Sequence, residues 1–490
     1  MSSTRELCHY IGGQPVRGAS GRFADVHDAS SGAVVARVPL ASADEVRHAV
    51  ATAERAQVDW AAWHPRRRAR VLMRFLELVR HEVGYLATAL ATEHGRTVAD
   101  AEGDVQRGLE AVEFAAGVPH LLRGEFAECA DVDVHSVRQP LGVVAGITPA
   151  DSPAMVPLWQ AAPALVCGNA FVLKPSERDP TVPLLLASLL TEAGLPPGVF
   201  TVVNGDSVAA DALPVDPGVA AVGFVGAAPD ARRVHGIATA AGKRARCSGR
   251  AKHHLVVMPD ADLDAAVTAL LQAGRGPTGG WCTAVPVGAA TATALVAALA
   301  DRLRELTVGA AHDGATDLGP LVSADAVRHA RDHVETGVAE GAELVVDRRD
   351  VVVPGYANGY YLGPVLLDHV TADMRVHHED VSGPVFTVVR ADDYEHAVRL
   401  AGEHGDGAAI FTRDRDAAHD FSSRVDTGVV GVNVVAPTTY HAFSGCGDPE
   451  QHGLAVIRFC TRAKTVTEHW SAGRGPVAAA DPVACHRAPG

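Results

Sequence analysis

No run of about eighteen apolar residues occurs in this 490-residue chain, so none of its segments is long enough to cross a bilayer as a helix. The N-terminus, Met1-Ser2-Ser3-Thr4-Arg5-Glu6, carries no apolar stretch behind a basic start, so no secretory signal is visible. The eight cysteines are scattered and form no CxxC pair. In a chain this long that pattern points to reduced thiols, not to a disulfide framework or a zinc site. The expected compartment is therefore the cytoplasm. Basic runs are missing too, and the formal charge of −15 argues against a nucleic-acid partner, which needs basic patches to neutralise phosphates. No repeat of 20–50 residues is evident. The 48 glycines and 29 prolines never gather into a long low-complexity tract.

What is present is a globular composition, 47% apolar and 21% charged. Its length predicts two or three domains rather than one core. The first forty residues alternate short apolar stretches with Gly/Asp/Ser turns and read as a small antiparallel arm. From Ala43 to about Leu122 apolar residues recur every three to four positions, the helical spacing. Between residues 142 and 247 the pattern becomes strand–helix alternation, with strands predicted over 143–147, 170–173, 200–203 and 220–225, and helices over 154–165 and 182–192. Unbroken β-rich runs separated by helices describe a parallel sheet buried on both faces, a doubly wound unit that takes ligands beyond the carboxyl ends of its strands. A second α/β pattern follows Asp260, with helices over 263–273 and 291–306 and strands over 284–287, 385–389 and 429–434. Residues 473–490 are Ala/Pro/Gly-rich and aperiodic, and read as a disordered tail.

One candidate nucleophile stands out. Residues 274–282 read GRGPTGGWC, between a predicted helix and a predicted strand. Gly274, Gly276 and Gly279 fit GxGxxG only on paper, because a dinucleotide fingerprint follows a strand and opens a helix. Glycines before a cysteine do let backbone approach a ligand closely. Still, a lone cysteine is more often a small buried hydrophobe.

Its company changes that balance. Residues 139–149 with Pro153-Ala154-Met155, then Ala164-Leu165-Val166-Cys167-Gly168-Asn169 and Leu173-Lys174-Pro175-Ser176-Glu177-Arg178, stand in order along the chain. After them come Ala251-Lys252 with His254, Val256-Val257-Met258-Pro259-Asp260, Asp317-Leu318-Gly319-Pro320-Leu321, Gly383-Pro384-Val385 and Gly431-Val432-Asn433-Val434. On these motifs the chain, over about residues 8 to 470, resembles the CoA-acylating methylmalonate/malonate semialdehyde dehydrogenases, a branch of the aldehyde dehydrogenase superfamily. The resemblance implies an α/β fold: a doubly wound nucleotide-binding domain, an α/β catalytic domain and a two-strand oligomerisation flap. It assigns residues 1–125 and 147–255 to NAD binding, 126–146 and 435–472 to the flap, and 256–434 to the catalytic domain. It also implies a homodimer or homotetramer, an aldehyde substrate, NAD as cofactor, and CoA or water as acyl acceptor. Cys282 would attack the aldehyde, and its thioester would then be released.

Several matched positions depart from that family. Asp151, in Thr148-Pro149-Ala150-Asp151-Ser152-Pro153, takes the place of an asparagine that donates to the developing oxyanion. Losing one such donor typically costs about 3 to 4 kcal/mol of transition-state stabilisation. An ionised Asp151 would also repel a thiolate, whereas a protonated one could still donate. Aspartate before Ser152-Pro153 equally suits a helix N-cap, and the two roles are compatible. Ser248 stands where many relatives carry the glutamate that activates water, which favours release to a thiol. Arg107 matches one of two arginines that clamp the substrate carboxylate, but the second position holds Trp281, so a bulkier or less acidic aldehyde is expected. Thr148, Lys174, Glu177 and Gly226 match cofactor contacts, with Lys174 and Glu177 at the adenosine ribose. A phosphate-contacting serine has become Ala227, and the Glu and Phe around the nicotinamide ribose have become Asp380 and Ser382.

Two other readings stay open at this point: a repurposed non-redox acyl-transfer or thioesterase enzyme, and a non-catalytic scaffold. His329 and His333 have metal-ligand spacing on a predicted helix, but no third ligand is apparent in the sequence, and a solvated helix face is expected. Cys247 is expected to be a buried structural thiol.

Overall fold

The all-apolar strand Val143–Ile147 is buried along its whole length, and so is Ala170–Lys174 beside it. They form the middle of a seven-stranded sheet whose five central-to-edge strands, Arg244–Gly249, Val219–Gly226, Val143–Ile147, Ala170–Lys174 and Phe200–Val202, run parallel. A parallel strand buried on both faces has no reason to alternate polar and apolar residues, which explains the unbroken runs. The computed structural model describes residues 5–129, 132–249, 252–275, 282–381, 383–403, 407–435 and 453–469, without the side chains of Cys129, Arg275 and Cys282. Trp281, Ser382 and the expected tail at 473–490 lie outside the described residues.

Helices cover both faces of this sheet. On one side Ala43–Ala62 starts with a capping box between Ser42 and Glu45. On the other, Pro65–His94, Val98–Gly117, Met155–Val166 and Thr181–Glu192 bury Phe75, Leu90, Leu109, Leu165 and Leu186 against Phe171 and Leu173. Asn169 ties the layers together. Its carbonyl accepts from the backbone N–H of Leu141 and Gly142, and its amide donates to the carbonyls of Ala164 and Cys460.

The opening residues are largely antiparallel, as expected, but they divide between two sheets instead of forming one arm. His9–Ile11 and Gln14–Val16 continue the large sheet as antiparallel edge strands, and Arg5–Glu6 pairs in parallel with Val34–Pro39 in a separate three-stranded sheet. His9 and Tyr10 are buried there, so tertiary burial overrides the local turn signals.

The second half builds another seven-stranded sheet. Its parallel strands are Val365–Asp368, Val385–Val388, Cys282–Pro286, His253–Val257, Ala408–Phe411 and Val430–Val432, with Glu343–Asp347 antiparallel at one edge. Leu263–Arg275 and Ala289–Glu305 pack on one face and Ala324–Glu340 with Tyr394–Gly402 on the other.

The expected two-strand flap has a third strand. Thr461–Glu468 and Phe126–Cys129 flank Val132–Pro140 on its two sides, all antiparallel. Within residues 435–472 the helix Leu454–Cys460 lies elsewhere, burying Val456 and Ile457 in the core of the first sheet.

Candidate active site

The first sheet points the carboxyl ends of its strands at the amino ends of strands in the second. Thr148 follows Val143–Ile147, Lys174 ends its strand, and Gly226 ends Val219–Gly226. Facing them, Gly383-Pro384 lead into Val385–Val388, and Gly274 lies in the last turn of Leu263–Arg275. All six border one cleft of about 590 Å³. Cys282 is the first residue of the strand between His253–Val257 and Val385–Val388, on the same sheet edge as Pro384. A Cβ on Gly274 would stand 2.2 Å from the Phe386 ring, so only glycine lets the helix close down where the chain is delivered toward Cys282.

The cofactor positions read from the sequence gather on the first-sheet side of the cleft. Thr148 is buried and lines it, its N–H donating to the carbonyl of Lys174. Lys174 Nζ stands 3.4 Å from Glu177 Oε2, holding that carboxylate at the rim. Gly226 ends its strand where the helix Ala228–Ala240 begins, and this helix N-terminus opens on the cleft through Gly226, Ala227 and Asp230. Oriented N–H groups there suit an anion. Ala227 is the N-cap and gives no side-chain cap bond, the local consequence of a missing hydroxyl. Asp380, also read as a cofactor position, is not among the described residues that line the cleft; it acts on Lys252, whose ammonium donates to the carbonyl of Val376. Burial pushes the Lys252 pKa down to about 8, against the opposing pull of Asp380 and Glu379.

Asp151 lines the cleft but is not a helix N-cap. The helix Met155–Val166 starts after Ala154, and its free N–H groups at Ala154 and Met155 donate to Asp104 from a neighbouring helix. The Asp151 backbone carbonyl instead accepts from the Arg96 guanidinium. Arg96 is buried, 3.7 Å from Asp104, and also feels Asp151, Asp179 and Asp100. Burial lowers its pKa while these carboxylates raise it. Behind them burial raises Asp179 well above the usual carboxylate range, with Glu93 adding to the effect. Glu93, accepting from the N–H and hydroxyl of Thr181, is raised to about 7 by its own burial. None of Glu93, Arg96, Asp104 and Asp179 stood out in the sequence. Glu93 and Asp104 show only as charges among the apolar positions of two helices, and Arg96 and Asp179 lie in loops, where a charge is no signal at all.

Arg107 is not brought to the cleft among the described residues. It lies between Met155, whose sulfur is 3.4 Å from its Nε, and Asp104, 4.0 Å from its Nη2. Ser248 borders a separate small cavity with Trp159 and Gln160. Burial pushes the Cys247 thiol up to about 12, as suits an unreactive thiol. The helix carrying His329 and His333 does not present both to solvent: His333 is fully buried.

The wider resemblance is specific. The model of the aldehyde dehydrogenase family matches residues 16–466. A malonate-semialdehyde dehydrogenase of Pseudomonas aeruginosa is 44% identical over 95% of this chain and 96% of its own length. The acylating mitochondrial methylmalonate-semialdehyde dehydrogenase of Arabidopsis thaliana is 39% identical over 94% of this chain and 78% of its own. Among solved structures, a candidate methylmalonate-semialdehyde dehydrogenase of Sinorhizobium meliloti, complexed with NAD, superposes with a TM-score of 0.94 at 48% identity, covering 96% of this chain and 99% of that one. Fold, motifs and matched length agree, and the chain belongs to the aldehyde dehydrogenase family.

Proposed function

We propose that this enzyme oxidises a semialdehyde-like aldehyde with NAD through a Cys282 thioester that is released to a thiol such as CoA. The observation that carries the reading is the cleft between the two sheets, where carboxyl-terminal strand ends with an open helix N-terminus face the strand edge that begins at Cys282.

The residues on the first-sheet side fit a dinucleotide. The N-terminus of Ala228–Ala240 would meet its phosphates, and Glu177, steadied by Lys174, would accept from a ribose hydroxyl. When bound, NAD supplies the hydride acceptor. Cys282 attacks the aldehyde carbon as thiolate, forming a C–S bond and placing a negative charge on the former carbonyl oxygen. Asp151 beside that oxygen would oppose the charge when ionised, and Arg96 bonded to its backbone offsets part of it. Release of the acyl group to a thiol breaks the Cys282 thioester and returns the thiolate. Ser248, which cannot deprotonate water as a carboxylate can, supports a thiol acceptor over water.

The test is incubation with NAD, CoA and a panel of aldehydes and semialdehydes, following reduced cofactor by absorbance and acyl-CoA by mass. Reduction that is lost in Cys282→Ala and depends on CoA for turnover is the expected result. Reduction that persists in Cys282→Ala would remove the nucleophile assignment. Turnover indifferent to CoA would make water the acceptor.

A further inference from the structure

His329 and His333 lie one turn apart on the helix Ala324–Glu340, and the fold brings Glu379 to them from 46 residues beyond His333. One ligating atom from each of the three lies within 4.8 Å of the others. The hydrogen bonds constrain this group closely. His333 Nδ1 is 2.8 Å from the carbonyl oxygen of His329, and a carbonyl can only accept, so Nδ1 carries the hydrogen. Nε2 then faces Oε2 of Glu379 at 3.0 Å. A neutral imidazole presents a lone pair there, and the carboxylate presents another. A contact that short needs a cation between them, either a second proton or a metal ion.

Three features favour a metal ion. The His329 ring centre lies 4.2 Å from that of His333, so a second imidazole is within reach of the same point. Glu379 Oε2, the oxygen that faces His333, also accepts from Nε of Arg375, which Asp332 holds in turn, and His333 is oriented by its backbone bond, so both groups are fixed by outer partners of the kind that accompany metal ligands. His329 also borders the cleft, which leaves an open coordination position on that side.

We propose that His329, His333 and Glu379 form a divalent metal site at the rim of the cleft. Two imidazole nitrogens and one carboxylate oxygen suit a borderline ion, Zn²⁺ first. The site does not depend on the reaction assigned above. It would fasten Ala324–Glu340 to the segment that continues directly into Asp380.

The experiment uses the full chain, stripped with a chelator and titrated with Zn²⁺ against a chromophoric indicator, with Co²⁺ absorption reporting coordination. The expected result is binding of about one ion in the micromolar range or tighter. It should weaken at least about tenfold in His333→Ala, in Glu379→Gln and in His329→Ala. His329 is exposed, so His329→Ala should leave the unfolding midpoint of the metal-free protein unchanged and separate ligand loss from misfolding. No binding by the stripped protein, or equal binding by His329→Ala and Glu379→Gln, would overturn the proposal and make the His333–Glu379 contact a proton-bridged ion pair.

Discussion

Asp151 shows how much a single carboxylate depends on what surrounds it. In sequence it is an asparagine site turned acidic, with a helix cap as the ordinary alternative. In the structure that capping role belongs to Asp104, and the Asp151 backbone is held by a buried arginine that several carboxylates share. Glu93, at the back of this group, has a pKa raised to about 7 by burial, so the folded protein holds its proton more tightly than the unfolded chain does. The resulting stability is fully present below the unfolded pKa and is lost as pH rises through about 7. At 1.36 kcal/mol per unit, the effect is about 3 kcal/mol. Glu93→Gln, which can keep both bonds to Thr181, should therefore raise the unfolding midpoint at pH 8 and leave it nearly unchanged at pH 4.5. Equal shifts at both pH values would show that folding does not raise the Glu93 pKa.

Among the elements, the helix Ala228–Ala240 is the one whose sequence and task conflict. It opens on the cleft, where N–H groups should meet phosphates, yet its N-cap is Ala227 and its second position is Pro229. Ala227→Ser would supply a hydroxyl at the cap, worth about 1 kcal/mol. If this helix holds the dinucleotide, NAD should bind about fivefold more tightly, as isothermal titration would read. Unchanged affinity with a higher unfolding midpoint would show a cap that touches no cofactor. The helix itself was not among the elements expected from the sequence, whereas many of its neighbours were legible from periodicity. The buried strands read as continuous β-rich runs, and the long helices showed apolar spacing of three to four. The expected strand over 284–287 starts two residues earlier, at Cys282, because pairing with His253–Val257 draws the cysteine into the ladder. Pairing between strands is not a local property, and spacing alone could not supply it.

For the molecule as a whole, close backbone contacts join the two halves. A Cβ on Gly319 would sit 1.9 Å from the carbonyl oxygen of Gly95, and one on Gly95, which has φ +94°, 2.4 Å from that of Pro320. Val98 also donates to Ala311 across this junction. The motif Asp317-Leu318-Gly319-Pro320-Leu321 thus has a structural role in addition to lining the cleft: it lets the helical half and the second sheet touch through backbone. Gly319→Ala meets rigid backbone rather than a side chain that can turn away, so about 2 to 3 kcal/mol of destabilisation is expected. Chemical unfolding should show it as a lower midpoint, and activity should fall with it because the cleft spans the junction. A substitution without effect on the midpoint would mean that the halves can shift apart freely.

The sequence alone determined the kinds of most elements, the parallel character of the first large sheet, the family, and Cys282 as the residue to test first. Those conclusions rest on contiguous residues, whose spacing reflects burial on one face or two. Only the tertiary structure decided that Asp104 caps the helix after Asp151, that Arg96 serves several acids, and that Arg107 packs on Met155 and is not among the described residues lining the cleft. It also decided that Glu379 meets His333. The contacts of Asp104, Arg107 and Glu379 each join residues 46 to 50 positions apart, and one sequence records no distance between positions that the fold alone brings together.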